Sequence, residues 1–209
     1  MTRESEMKSL KICGLAAIAA MALLACLGVG SASATVLCTE DKNPCPAGKD
    51  EPAGTKIEAS LKGSASWSTT AGTVLETCTK GTHIWEMQNT GGLNKNIVKV
   101  QQQYTWANCA KGVSVIALGT SEDKYIEGTS NAMMFDAGTE VTLQLFSADC
   151  VYSTGTGTFV GVAQAGTEAV LLEDVNLSKL SGSLLCPATI RFRSEWLVTS
   201  PKNLSWQPS

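Results

Sequence analysis

The 209 residues carry 16 basic and 19 acidic side chains, a net charge of −3, and a single histidine. Without a basic stripe, the chain lacks the clustered Lys and Arg that nucleic acid and anionic membrane surfaces require. The lone His83 leaves Ser/His/Asp and Cys/His catalytic units one possible base.

Lys8 and Lys11 precede an apolar run, Ile12 to Gly30, and Ala32-Ser33-Ala34 places small residues at its end. This is the pattern of a secretory signal peptide over 1–34, cleaved after Ala34. The rival is a transmembrane anchor, since the run is 19 residues long; its Ala and Gly content and the A-x-A ending oppose that. Two acids and one base in Met1 to Glu6 make a poor leader start, so initiation at Met7 is expected. Leu23-Leu24-Ala25-Cys26 also resembles a bacterial lipobox, which gives a lipid-anchored surface protein as an alternative, although the residues after Cys26 stay apolar.

Removal of the leader leaves 175 residues with 13 basic and 17 acidic side chains, enough for one domain with a real core. Cys13 and Cys26 leave with it. Cys38, Cys45, Cys78, Cys109, Cys150 and Cys186 remain, an even count that reads in an exported chain as three disulfides. Six cysteines allow about 15 connectivities; sequential pairing is expected, with Cys38–Cys45 closing a short loop and the other two bonds stapling neighbouring strands. Zinc is the rival reading, but no C-x-x-C pair exists and one His is present.

From Thr35 to Gly54, prolines and charges predict a loop held by its own disulfide. Its acids, Glu40, Asp41, Asp50 and Glu51, match no calcium-loop spacing. Alternation then begins. Ile57, Ala59 and Leu61 share a face, Gly63 marks a bend, and Ala65 and Trp67 follow. Thr73 to Thr79 and Thr82 to Gln88 read as two strands turned at Lys80-Gly81, with His83, Trp85 and Met87 on one face. After the turn at Asn89-Thr90-Gly91-Gly92, a long strand ends at Cys109; Val98, Val100, Tyr104 and Trp106 are placed on one face, and Lys99, Gln101, Gln103 and Thr105 on the other. Val113 to Gly119, Tyr125 to Thr129 and Ala132 to Phe135 are shorter strands.

The clearest unit is Gly138 to Ala165. Val141, Leu143 and Leu145 alternate toward Cys150, STGTGT supplies a turn, and Phe159 to Ala163 returns as the second arm of a hairpin. Ala169 to Leu177 is a charged strand. Ile190, Phe192, Trp196 and Val198 form the apolar face of another, opposite Arg191, Arg193, Glu195 and Leu197, and Leu204 to Gln207 is a short edge piece. Trp106-Ala107-Asn108-Cys109 and Ser147-Ala148-Asp149-Cys150 echo one another, a weak sign of duplication. With no sustained helical period, the fold expected for 55–209 is all-β: a single-domain β-sandwich, or a barrel as the alternative, stapled by disulfides.

Taken together, Val36-Leu37-Cys38, Asn43-Pro44-Cys45, Gly54-Thr55, Thr77-Cys78-Thr79-Lys80, Asn89-Thr90-Gly91-Gly92, Leu184-Leu185-Cys186-Pro187-Ala188 and Thr199-Ser200-Pro201 resemble a set of secreted proteins of soil actinobacteria. The resemblance covers essentially the whole mature chain. It implies an exported, disulfide-bonded, β-rich protein and brings no assigned activity, so no functional residue is carried across.

His83 shares a face with Trp85 and Met87, which favours a packed ring over a catalyst. Trp106 and Trp196 are assigned to the core; Trp85 and Trp206 are the expected exposed pair and the possible ligand-contact aromatics, for instance against sugar rings. Paired carboxylates for glycoside cleavage cannot be chosen from 17 acids by sequence. No catalytic residue, metal or other cofactor is assigned. The expected role is that of an exported non-enzymatic module, binding or structural, at the cell surface or outside the cell, with carbohydrate or protein as partner. A carboxylate-dependent hydrolase is the alternative.

Overall fold

The computed structural model describes residues 35–93 and 95–208; the expected leader, with its lipobox cysteine, lies outside them. The described elements are all strands: β1 (Val36–Cys38), β2 (Lys56–Leu61), β3 (Ala65–Thr69), β4 (Val74–Met87), β5 (Ile97–Cys109), β6 (Val113–Ala117), β7 (Thr120–Tyr125), β8 (Ala132–Ala137), β9 (Glu140–Leu145), β10 (Ala148–Ser153), β11 (Thr158–Gln164), β12 (Val170–Ser181), β13 (Thr189–Ser200) and β14 (Ser205–Gln207). The chain is all-β, and its main sheet closes on itself.

Closure follows from the ladders. β4 pairs with β5, β5 with β7, β7 with β8, β8 with β11, β11 with β12 and β12 with β13, all antiparallel. β2 and β3 then each bridge β13 to β4, at different heights along them. The result is an eight-stranded up-and-down barrel, the alternative of the two architectures expected. Closure leaves none of the eight ring strands at an edge, whereas β6, paired with β9 alone, remains one.

The strands beyond the ring are continuations of it. β10 and β6 both pair with β9, and β10 also pairs with the far end of β12. Thus β6–β7, β8–β9 and β10–β11 each run as one long wall strand with a break, as β2–β3 does at Gly63. The barrel has two storeys on that side.

Several sequence expectations change here. Gly138 to Ala165 is not a hairpin turned at STGTGT. The chain reverses at Phe146-Ser147, a two-residue turn whose φ values are 53° and 61°, so Cys150 pairs back with Leu143. The segment STGTGT, from Ser153 to Thr158, is instead the break between β10 and β11 on the return arm. Lys80-Gly81 is no turn either, because β4 runs unbroken through it. Gly81 is required there by crowding: a Cβ would stand 2.9 Å from the Thr105 carbonyl and 3.0 Å from the Trp196 ring. The strand expected over Tyr125 to Thr129 lies earlier, as β7, which ends at Tyr125, and residues 126–131 form a turn. Within the N-terminal loop, Val36–Cys38 pairs with β14, joining the two ends of the described chain. The echo of Cys109 and Cys150 has no structural counterpart: Cys109 ends β5, whereas Cys150 lies within β10.

The most consequential difference is in β5. Ile84 pairs with Gln103 and Trp85 with Gln101, so Gln102 is an extra residue, a β-bulge. Because side chains alternate with a period of two, the bulge swaps faces. Tyr104 and Trp106 point inward after it, but before it the inward residues are Ile97, Lys99 and Gln101, leaving Val98 and Val100 on the outer face.

All three disulfides join sequential cysteines: Cys38–Cys45, Cys78–Cys109 and Cys150–Cys186. Cys78 and Cys109 are direct cross-strand partners. The core is aromatic. Trp106 lies 4.9 Å from Trp67 and 5.1 Å from Trp196 between ring centroids, and Tyr104 stacks on His83 at 4.0 Å. Such pairs add about 0.5–1.5 kcal/mol each beyond their burial.

Candidate functional site

Above the aromatic layer, the swapped face of β5 brings polar groups into the barrel. Lys99 and Asp123 are 1% and 0% exposed, and the ammonium stands 2.7 and 2.8 Å from the two carboxylate oxygens. Trp206 Nε1 donates to the same carboxylate at 2.8 Å. A buried charge pair needs such secondary bonds to offset desolvation. Lys99 also lies 5.3 Å from the centroid of the Trp85 ring.

Next along β5, Gln101 Nε2 donates to Thr139 Oγ1 at 2.7 Å and to Asp136 Oδ2 at 3.2 Å, while Thr139 Oγ1 donates to Asp136 Oδ2 at 2.7 Å. Asp136 Oδ1 and Gln101 Oε1 have no partner. Burial raises the Asp136 carboxyl above its usual range, against the lowering effect of these hydrogen bonds.

Glu173, on β12, is the third inward acid. Its Oε2 accepts from Ser194 Oγ at 2.6 Å and from Trp196 Nε1 at 2.7 Å. Desolvation pushes it up to about 7 despite those donors, and the charge of Asp136 adds to the rise. Its cross-strand partner is Gly161, a position that only glycine fits, since a Cβ there would lie 1.8 Å from the Leu172 carbonyl oxygen.

Asp136 and Glu173 face one cavity of about 20 Å³, with Thr139 and Thr154 beside them and Trp67, Tyr104 and Phe192 among its apolar walls. That volume accepts roughly one water-sized group. The wall in front of it is broken. The pairing of β11 with β12 ends at Glu173 and that of β10 begins at Ser178, so Asp174–Leu177 has β13 alone as ladder partner. Thr154, in the break, leaves its Oγ1 unpartnered.

His83 lies close by as a packed ring, as expected. It is 1% exposed, between Trp85 and Tyr104, with neither nitrogen hydrogen-bonded, and burial drives its pKa well below the usual histidine value. Trp85 and Trp206 were the expected exposed pair, and that expectation is corrected. They are 3% and 1% exposed, held inside by the aromatic stack and by the bond to Asp123. Neither offers a surface platform to a sugar. Trp196 is core, as assigned, and Trp106 packs against it.

The residues that converge, Asp136, Glu173, Gln101, Thr139 and Thr154, were not singled out by sequence. The bulge at Gln102 hides Gln101 behind a regular alternation, and Glu173 reads as one of two charges on an ordinary strand. Among the described residues, no group of three or more His, Cys, Asp or Glu is placed to hold a metal ion, and no helix is long and apolar enough to cross a membrane. Comparison of the chain with protein-family models, with curated proteins and with solved structures found no match.

Proposed function

We propose that this chain is an exported, non-enzymatic all-β module that serves as a binding or structural element at the cell surface or outside the cell. The observation that carries the reading is the size and chemistry of the place where titratable groups converge. A cavity of about 20 Å³ accommodates a water-sized group but no pyranose ring, and glycoside cleavage needs two carboxyls flanking a bond between rings. Three disulfides support export, because such bonds persist in oxidising compartments.

The second reading, a carboxylate-dependent hydrolase, draws on Glu173, whose pKa of about 7 suits a general acid. Its weakness is Asp136. A glycosidase pair sets a protonated acid against an ionised partner, whereas burial raises both of these groups.

Two measurements test the proposal. Intact mass of exported protein is expected to show a start at Thr35 and a loss of six hydrogens relative to the reduced chain; a diacylated Cys26 would make it a lipid-anchored surface protein instead. A panel of glycoside, ester and peptide substrates is expected to show no turnover. Hydrolysis abolished by Glu173→Gln would overturn the non-enzymatic reading.

A further inference from the structure

We propose that the pocket behind the break between β10 and β11 is a receptor for one primary ammonium group, with Asp136 and Glu173 as its counter-charges. The inference builds on the binding-module reading above and supplies the ligand chemistry that reading lacks.

Charge is the first argument. Asp136 on β8, Glu173 on β12 and Tyr104 on β5 line the pocket, and beyond its walls lie His83 on β4 and Lys99 on β5, whose charge reaches both carboxyls and lowers them. Lys99 is engaged by Asp123, and burial holds His83 neutral. Two carboxyls therefore face one small space without a cation in contact. Burial disfavours the ionised form of both, of buried Asp136 and of half-buried Glu173, and a positive partner would relieve that cost.

Hydrogen-bonding capacity is the second. Asp136 is 8% exposed and lines the cavity, yet its Oδ1 accepts nothing, and neither does Thr154 Oγ1. An ammonium has three N–H donors and no acceptor. It therefore complements a site whose unpartnered atoms include a carboxylate and a hydroxyl oxygen.

The walls supply the third argument, since they select against a metal. Calcium takes about six to eight oxygen ligands. Here Trp67, Tyr104 and Phe192 occupy much of the lining, and aromatic faces attract alkylammonium ions. Size completes the case. A –NH₃⁺ tip matches the space of one water, whereas a quaternary ammonium exceeds it, so the remainder of the ligand must stay outside the break at Thr154–Gly157. A lysine side chain and an amino sugar both present such a tip.

The test uses the oxidised mature protein at pH 8, titrated with methylammonium chloride and followed by the thermal midpoint and by the ¹³C shift of the Glu173 carboxyl. Sodium chloride, calcium chloride and tetramethylammonium chloride serve as matched controls. The proposal expects a saturable rise in midpoint and a saturable carboxyl shift with methylammonium alone. Affinity should fall at least tenfold in Glu173→Gln and in Asp136→Asn, two variants of which either suffices if the other fails to fold. Nα-acetyl-lysine amide and glucosamine then separate the two sources by which of them binds more tightly than methylammonium. A response equalled by sodium chloride, a stronger response to calcium, or an unchanged affinity in a folded variant would overturn it. Such a failure leaves the non-enzymatic reading standing, because the substrate panel decides that separately.

Discussion

Replacing Glu173 by Gln should make the protein more stable at pH 8 and remove part of its dependence on pH. In the folded chain the carboxyl titrates at about 7, against an ordinary value of 4.5. Because the folded state holds this proton more tightly, the contribution is fully present below about pH 4.5. It drains as pH rises toward 7 and is gone above it. A shift of that size corresponds to about 3 kcal/mol, or roughly 6–12 °C in the midpoint of a domain this long. Asp136, also raised by burial, acts in the same direction. His83 acts in the opposite one: its folded pKa is lowered, so stability is lost as pH falls below the ordinary histidine value. The wild-type curve mixes these effects, and the difference between wild type and Glu173→Gln isolates one. Gln keeps an oxygen to accept from Ser194 and Trp196, so the comparison preserves packing. Urea unfolding from pH 4.5 to 8 should show wild type losing stability relative to the variant as pH rises. A flat difference, or one of the opposite sign, would refute the claim that this carboxyl is enclosed.

Other perturbations follow from the same geometry. Lys99→Met should cost about 3–5 kcal/mol by leaving Asp123 buried without its cation, and adding Asp123→Leu should recover part of that loss; both are read by urea denaturation. Gly161→Ala should destabilise by about 1–3 kcal/mol, since the new methyl meets the Leu172 carbonyl, whereas alanine at exposed Gly128 meets no atom and introduces only backbone strain. Glu76→Ala should destabilise by about 1–3 kcal/mol, because this buried carboxylate accepts from the backbone N–H groups of Thr77, Ala110, Lys111 and Gly112. Replacing Cys78 and Cys109 by Ala removes a 31-residue closure worth about 3.7 kcal/mol on the loop-entropy model, visible as a lower urea midpoint.

The elements legible in the sequence were those whose local chemistry was unambiguous. The alternation of Ile57, Ala59 and Leu61, and of Ile190, Phe192, Trp196 and Val198, placed β2 and β13 with their buried faces correctly assigned. Sequential pairing identified all three disulfides, each between segments the ladders hold side by side or a short loop apart. The hairpin was lost because its turn uses Phe146-Ser147, residues with no preference for positive φ, while the glycines of STGTGT advertise a turn where the strand merely breaks. Gly81 misled in the same way, since it answers to a neighbouring strand distant in sequence. The site was invisible for a further reason. One extra residue at Gln102 inverts the faces of β5, and in the run Gln101-Gln102-Gln103 no residue type marks it. Lys99 and Gln101 therefore read as solvent-facing, although Asp123 on β7 holds the Lys99 ammonium inside and Asp136 on β8 accepts from the Gln101 amide nitrogen. Trp85 and Trp206 were misplaced for want of the same long-range information.

The central claim is that the barrel encloses a pair of carboxyls facing one small cavity, and side-chain carboxyl ¹³C titration of the oxidised protein tests it most directly. The account predicts a Glu173 resonance with its midpoint near 7 and an Asp136 midpoint above the ordinary aspartate value. A Glu173 midpoint near 4.5 would contradict it, because a carboxyl that ionises as it does in water is not held inside this wall.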